Sequence, residues 1–247
     1  MAIKIEKVAV LGAGTMGAQL AGHIANAGIP ALLYDLNDEL AAKGRENLAK
    51  MKPAPLYNPT NLDLVEACTY ENNLDRLAEA DWVLEAVAEN LEIKHMVYKQ
   101  IAPVLKDNVL LSSNSSGLPV AKIAEALPEK FRSRFVLTHF FNPPRYLRLV
   151  EILPAGAHEE VVNSLAQFVD ESLGKGVGRA KDTPNFVANR IGVHGQMVAL
   201  SLTEEMSLTV EEVDKLTGTI VGRPKSAMYR TLDFVGLDVG IMGAQNS

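Results

Sequence analysis

The chain has 247 residues, 47% of them hydrophobic and 22% charged, with a formal net charge of −6. That balance supports a large buried core with room for a second, smaller domain, and the acidic surplus without a long basic run excludes a general nucleic-acid surface. One cysteine, Cys68, excludes an intrachain disulfide framework and a thiolate metal cluster.

The N-terminus enters its first strand without an apolar signal core, and no later stretch approaches a membrane span, so a cytoplasmic location is expected. No metal site is expected. Lys7–Leu11 is a short apolar run suited to a strand buried on both faces, and it ends on Gly12-Ala-Gly-Thr-Met-Gly17. Met16, Leu20, His23, Ile24 and Ala27 then recur at helical spacing until Gly28 stops the helix. Ala31–Asp35 supplies a second strand ending on an acid.

Strand, glycine loop, helix, strand and acid in that order form a dinucleotide-binding pattern. Gly12 permits the tight turn, Gly14 admits a pyrophosphate close to the backbone, and Gly17 lets helix and strand approach. Thr15 and Met16 open the helix whose N–H groups face the phosphates. Asp35 stands where an acid accepts from the ribose hydroxyls and would repel a 2′-phosphate, so NAD is favoured over NADP.

Asn37–Lys50 reads as a charged surface helix, and three prolines between Lys52 and Pro59 break the chain into the loop expected to be most mobile in this half. Alternation resumes with a strand at Cys68–Glu71, a helix at Asn73–Ala78, a buried strand at Trp82–Val87 and a helix carrying Leu91, His95, Val97, Tyr98 and Ile101. Val109–Asn114 is the next strand, with Ser115-Ser-Gly117 beyond its end and an amphipathic helix around Val120–Leu127. Glu89, Ser116 and His139 should face one crevice at the carboxyl ends of these strands.

Phe135–Phe141 and Leu147–Leu153 are two β-rich runs either side of Pro143-Pro144, which predicts strands folded back on each other. That return brings His139 and Glu151 together, the arrangement in which a carboxylate orients an imidazole, fixes its tautomer and favours its protonation. An imidazole so held is a general base. A helix at Glu159–Leu173 and a last strand at Val177–Lys181 follow. The pattern then changes: Asp182-Thr-Pro184 reads as an N-cap and helix start, and Phe186, Ile191, Met197 and Leu200 mark a long apolar helix. The expected architecture is α/β, a Rossmann-type doubly wound and mostly parallel sheet in residues 1–181, followed by a smaller all-α domain in residues 182–247.

These residues resemble the 3-hydroxyacyl-CoA dehydrogenases. The likeness runs through the glycine loop, Glu85–Leu91, Ser113–Ser116, His139-Phe-Phe-Asn-Pro143, Leu149-Val-Glu151, Lys181–Pro184, Asn189-Arg190 and Asp233–Asp238. It implies an NAD-dependent oxidoreductase acting at C3 of an L-3-hydroxyacyl-CoA in fatty-acid β-oxidation. His139 is then the catalytic base and Glu151 its partner, Ser116 and Asn189 hold the reacting oxygen, and Glu89, Lys94 and Asn142 lie near the nicotinamide ribose and ring. The partners implied are an acyl-CoA thioester and a second subunit or a larger β-oxidation assembly.

Two departures stand out. The excursion after the second strand, Gly44–Asp63, is short and proline-broken, leaving Arg45, Lys50 and Lys52 as CoA candidates. The helical domain is also shorter than the family's, and Gly222–Ser226 resembles the multifunctional branch, so a fragment or shortened relative is expected. The alternatives are a catalytically silent NAD-binding or structural relative, and a dehydrogenase of another β-hydroxy acid. The latter typically uses a lysine on the first helix of the second domain, which Asn189-Arg190 does not offer.

Overall fold

The structure, a computed structural model, describes residues 3–235. The chain divides into two compact units, Met1–Asp182 and Thr183–Ser247. In chain order the first contains β1 (Val8–Leu11), α1 (Thr15–Asn26), β2 (Ala31–Asp35), α2 (Asp38–Lys50), β3 (Val65–Thr69), β4 (Trp82–Glu85), α3 (Leu91–Ile101), β5 (Leu110–Ser113), α4 (Val120–Ala124), α5 (Glu129–Arg132), β6 (Phe135–Phe140), β7 (Leu149–Leu153), α6 (Glu159–Glu171) and β8 (Gly176–Arg179). The second contains α7 (Ala188–Glu205), α8 (Val210–Leu216) and α9 (Tyr229–Val235).

One eight-stranded sheet runs in the order β3-β2-β1-β4-β5-β6-β7-β8. The first six strands are parallel; β7 pairs antiparallel with β6, and β8 pairs parallel with β7. This is the expected Rossmann-type, mostly parallel sheet, with strand order reversing between β1 and β4. Because β1, β4, β5 and β6 are buried along their whole length, their apolar runs show no alternation. The helix α1 is buried from Gly17 to Ala25. Val161, Val162, Leu165 and Val169 of α6 join the same core as Trp82, Val136 and Ile152. Phe168 meets the Trp82 indole edge-on at 5.9 Å.

The starts of α2, α3, α8 and α9 follow side-chain chemistry. Asn37 Oδ1 accepts from Leu40 N–H at 2.9 Å to begin α2, and Asn90 Oδ1 accepts from Ile93 N–H at 3.1 Å to begin α3. In the second unit Thr209 and Glu212 form a reciprocal capping box on α8, while the Asp214 carboxylate accepts from the N–H groups of Met228, Tyr229 and Arg230. Ile191, Met197, Val198, Leu200 and Leu202 of α7 are exposed.

Several local expectations are corrected. Asp182 does not cap the long helix, which begins at Ala188 with no side-chain cap; its carboxylate instead accepts from Val120 N–H at 3.0 Å and so caps α4. Pro119, which precedes α4, has no side-chain oxygen to do this. The loop at Lys52–Pro59 is pinned rather than loose: Arg145 donates to Ala54 O at 2.6 Å and Leu56 O at 2.7 Å, and Asn26 bridges Pro55 O and Tyr57 N–H. The Arg145 guanidinium also lies over the Tyr57 and Tyr146 rings, 4.6 and 5.1 Å from their centroids. The third strand begins at Val65 and ends at Thr69, because its residues register with Ala31–Asp35, and the helix after it is a 3₁₀ turn at Leu74–Glu79. Gly236–Asp238 of the last matching motif lie outside the described residues.

His23 is buried in α1, its Nε2–H donating to Leu173 O at 3.1 Å, and Nδ1 has no hydrogen-bond partner. Burial, then the Lys175 charge, lowers its pKa from 6.5 to about 4. The folded state therefore resists a proton that the unfolded chain accepts, so stability is unaffected above pH 6.5 and falls as pH drops towards 4. The full effect is about 3 kcal/mol. Unfolding free energies of the unaltered protein should fall relative to those of His23→Gln across that window; parallel curves would show that His23 is not held neutral.

Candidate active site

Parallel strands place their carboxyl ends on one side, so the loops after β1, β2, β4, β5 and β6 share one edge of the sheet. Gly12 turns the chain at φ +100°, and a Cβ there would stand 2.7 Å from Ala86 O. At Gly17 a Cβ would stand 1.8 Å from Gly12 O, so the loop and α1 close only without one. Gly14 differs: a Cβ would meet nothing within 4 Å. Nothing in the protein requires glycine there, yet it stands at the N-terminus of α1 with no side-chain cap, with Thr15, Met16 and Gly17 forming the first turn. That open cradle fits a pyrophosphate. Asp35, at the end of β2, accepts from Ala13 N–H at 2.7 Å through Oδ2, which ties this acid to the loop itself.

On the other side of β1, a buried ionic cluster spans β4, α3 and the loop after β5. Lys94 Nζ lies 2.7 Å from Glu85 Oε1 and 3.4 Å from Glu89 Oε2. Glu85 also accepts from Ser113 Oγ at 2.6 Å and from Val87 N–H at 2.8 Å. Glu89 Oε1 accepts from Ser115 Oγ at 2.5 Å and from Ser116 and Gly117 N–H, both at 2.9 Å. Burial pushes the Glu89 carboxyl up, but Lys94 and these hydrogen bonds outweigh it and hold the group below the usual carboxylate range.

His139 and Glu151 are register partners in β6 and β7, so their side chains share one face, and Nδ1 lies 2.8 Å from Oε2. Both are buried. With Glu151 ionised, Nδ1–H is the donor of this contact, since a carboxylate has no proton to give. The Phe141 ring lies tilted against the imidazole, centroids 4.3 Å apart. Asn114 Oδ1 accepts from Phe140 N–H at 2.9 Å, tying the histidine strand to the end of β5. Gln19 Nε2 donates to Asn142 Oδ1 at 3.0 Å, which turns the Asn142 oxygen towards α1. Lys175 Nζ donates to Pro144 O and, at 3.0 Å, to Leu147 O, bracing the turn between the two strands.

The expected residues thus fall into three groups: Gly12–Gly17 with Asp35; Glu89, Lys94 and Ser116; and His139 with Glu151. Asn142 is placed by Gln19, and Asn189 opens α7 in the second unit. Glu85, Ser115, Asn114, Gln19 and Lys175 were not anticipated as site residues. A glutamate inside the buried run Trp82–Val87 was a legible signal for Glu85; the others carry none. Two proposed CoA contacts are otherwise engaged, Arg45 with Val65 O and Leu62 O, and Lys50 with Glu46. Among the described residues no group of acids, histidines and cysteine is set to hold a metal, and no helix is long and apolar enough to cross a membrane.

Residues 7–183 match the family model for the 3-hydroxyacyl-CoA dehydrogenase NAD binding domain, and residues 186–247 that for the C-terminal domain. The chain belongs to the 3-hydroxyacyl-CoA dehydrogenase family. It is 45% identical over 245 residues to a probable 3-hydroxyacyl-CoA dehydrogenase of Deinococcus radiodurans, covering 96% of this chain and 71% of that protein. A probable 3-hydroxyacyl-CoA dehydrogenase of Bacillus subtilis is 41% identical over 98% of this chain, which spans only 34% of its length. Among solved structures, M. tuberculosis FadB2 superposes with a TM-score of 0.86 at 29% identity, over 98% of this chain and 86% of that one. The (S)-3-hydroxybutyryl-CoA dehydrogenase of Ralstonia eutropha gives 0.83 at 26%, over 97% and 86%. The chain is therefore an NAD-dependent oxidoreductase of this family.

Asp35 is fastened to the glycine loop through Ala13 N–H. In Asp35→Ala, NAD affinity should fall and the preference for NAD over NADP should narrow, measured by isothermal titration with each cofactor. Equal affinity for both in the unaltered protein would remove Asp35 as the discriminating group.

Proposed function

We propose that the chain oxidises L-3-hydroxyacyl-CoA thioesters to 3-ketoacyl-CoA, with His139 as general base and Glu151 holding it. The observation that carries this reading is the buried 2.8 Å contact between His139 Nδ1 and Glu151 Oε2 across β6 and β7. Oxidation at C3 releases a hydride, which bound NAD accepts, and a hydroxyl proton, which the protein must take. His139 takes that proton at Nε2, and Glu151 stabilises the imidazolium that results. Ser116, whose N–H is fixed by Glu89, hydrogen-bonds the oxygen as it becomes a carbonyl, and the resemblance gives Asn189 the same role. Glu89 and Asn142 line the nicotinamide side, and Lys94, buried behind Glu89, supports it from within rather than meeting the cofactor. In the reverse direction His139 returns the proton to the alkoxide oxygen.

His139→Gln should retain NAD affinity while kcat falls about 10²–10⁴-fold, the usual worth of a positioned base. Glu151→Gln removes the negative charge that holds Nδ1–H and should also lower kcat, with little change in KM. Both are read from NADH absorbance with 3-ketoacyl-CoA substrates; turnover within a few-fold of normal in His139→Gln would assign the base elsewhere.

The acyl-CoA partner belongs to the same proposal, as does a cytoplasmic setting. Relatives of this chain include a fatty acid oxidation complex subunit alpha, which supports pairing with a second copy or a larger assembly. The exposed apolar side chains of α7 supply a surface for a second copy. Sedimentation should show self-association at micromolar concentration; a clean monomer with full turnover would remove the pairing.

A further inference from the structure

The Glu85, Lys94 and Glu89 cluster has one more carboxylate than it has cations. Glu85 is fully buried and its charge is matched by Lys94, itself 1% exposed. Glu89 is the surplus, and its side chain is 42% exposed, so the charge is carried from the buried pair outward to the edge of the sheet. It cannot swing away without breaking three hydrogen bonds to Ser115, Ser116 and Gly117. A charge fixed in this manner acts on a ligand without first being reoriented.

Its place in the sheet says which part of a ligand it meets. A dinucleotide lies across the point where strand order reverses, here between β1 and β4, with its pyrophosphate at the glycine loop. Asp35, on the β2 side, takes the adenosine ribose. The β4 and β5 side, where Glu89 stands, is left to the nicotinamide half. That ring carries a positive charge when oxidised and none when reduced.

We propose that Glu89, anchored by Lys94 and Glu85, makes the crevice discriminate between the two redox forms of its cofactor in favour of oxidised NAD. This rests on the dinucleotide reading of the crevice. A fixed negative charge attracts the oxidised ring and leaves the neutral one almost unaffected, so it lowers the affinity for product relative to that for substrate cofactor.

The test is the ratio of the dissociation constants for NAD and NADH, measured by isothermal titration without acyl substrate. Glu89→Gln keeps an acceptor oxygen for Ser115, Ser116 and Gly117 but removes the charge. NAD binding should weaken roughly three- to tenfold while NADH binding stays the same or tightens. Glu89→Asp, which keeps the charge, should preserve the ratio even where both affinities fall. Equal weakening of both forms in Glu89→Gln would reduce Glu89 to a structural support for the loop and overturn the inference. Failure of the unaltered protein to bind either form would instead overturn the dinucleotide reading beneath it.

Discussion

The site depends on one reversal of chain direction. In a parallel pair the chain needs a crossover of a dozen residues or more, usually a helix, before it can supply a neighbouring strand. Here β7 returns antiparallel to β6 through a short turn, so Glu151 faces His139 only 12 positions later in the chain. The imidazole is thereby held by its nearest strand neighbour, and no loop movement can separate the two. Lys175 makes the turn rigid from below by donating to two of its carbonyls, and burial, then the Arg148 charge, lowers its own pKa to about 8.

Two buried pairs of titratable groups are anchored on this one sheet, and burying charge is expensive unless every lone pair and proton is answered. Glu85 meets the requirement with Lys94, Ser113 and the Val87 N–H. What such pairs contribute is placement more than stability: an apolar substitute of the same volume would pack as well but would point nowhere. The same reasoning applies to the chain Trp82 Nε1–H to Ser112 Oγ, at 2.8 Å, and Thr138 Oγ1–H to the same oxygen, at 2.9 Å, which ties β4, β5 and β6 together on the face of the sheet opposite His139.

Legibility in the sequence followed the range of the interaction. The glycine loop, the acid at Asp35 and the facing strands around His139 and Glu151 were readable because each is written in consecutive residues or a fixed short spacing. The proline-broken loop was misread because what holds it, Arg145 and Tyr146, lies about 90 positions away, and Asp182 was misassigned because a cap for the next helix and a cap for a helix 62 residues earlier look identical in a linear string. Glu85 stood in plain view as a charge inside an apolar strand. Its partner Lys94 is on the following helix, and only the folded geometry shows that the two neutralise each other and leave Glu89 over.

The clasp between the 52–59 loop and the β6–β7 turn has an evolutionary consequence. Arg145 is three residues beyond Asn142, and it grips the loop by two carbonyls and the Tyr57 ring. With the middle of that loop fastened to α1 through Asn26 and to the turn through Arg145, alternately at residues 54 to 57, extra residues between α2 and β3 fit only outside that stretch, where they grow outward into solvent. Length in this excursion can thus vary among relatives while the histidine strand stays where it is, provided the arginine and its carbonyl partners are inherited together.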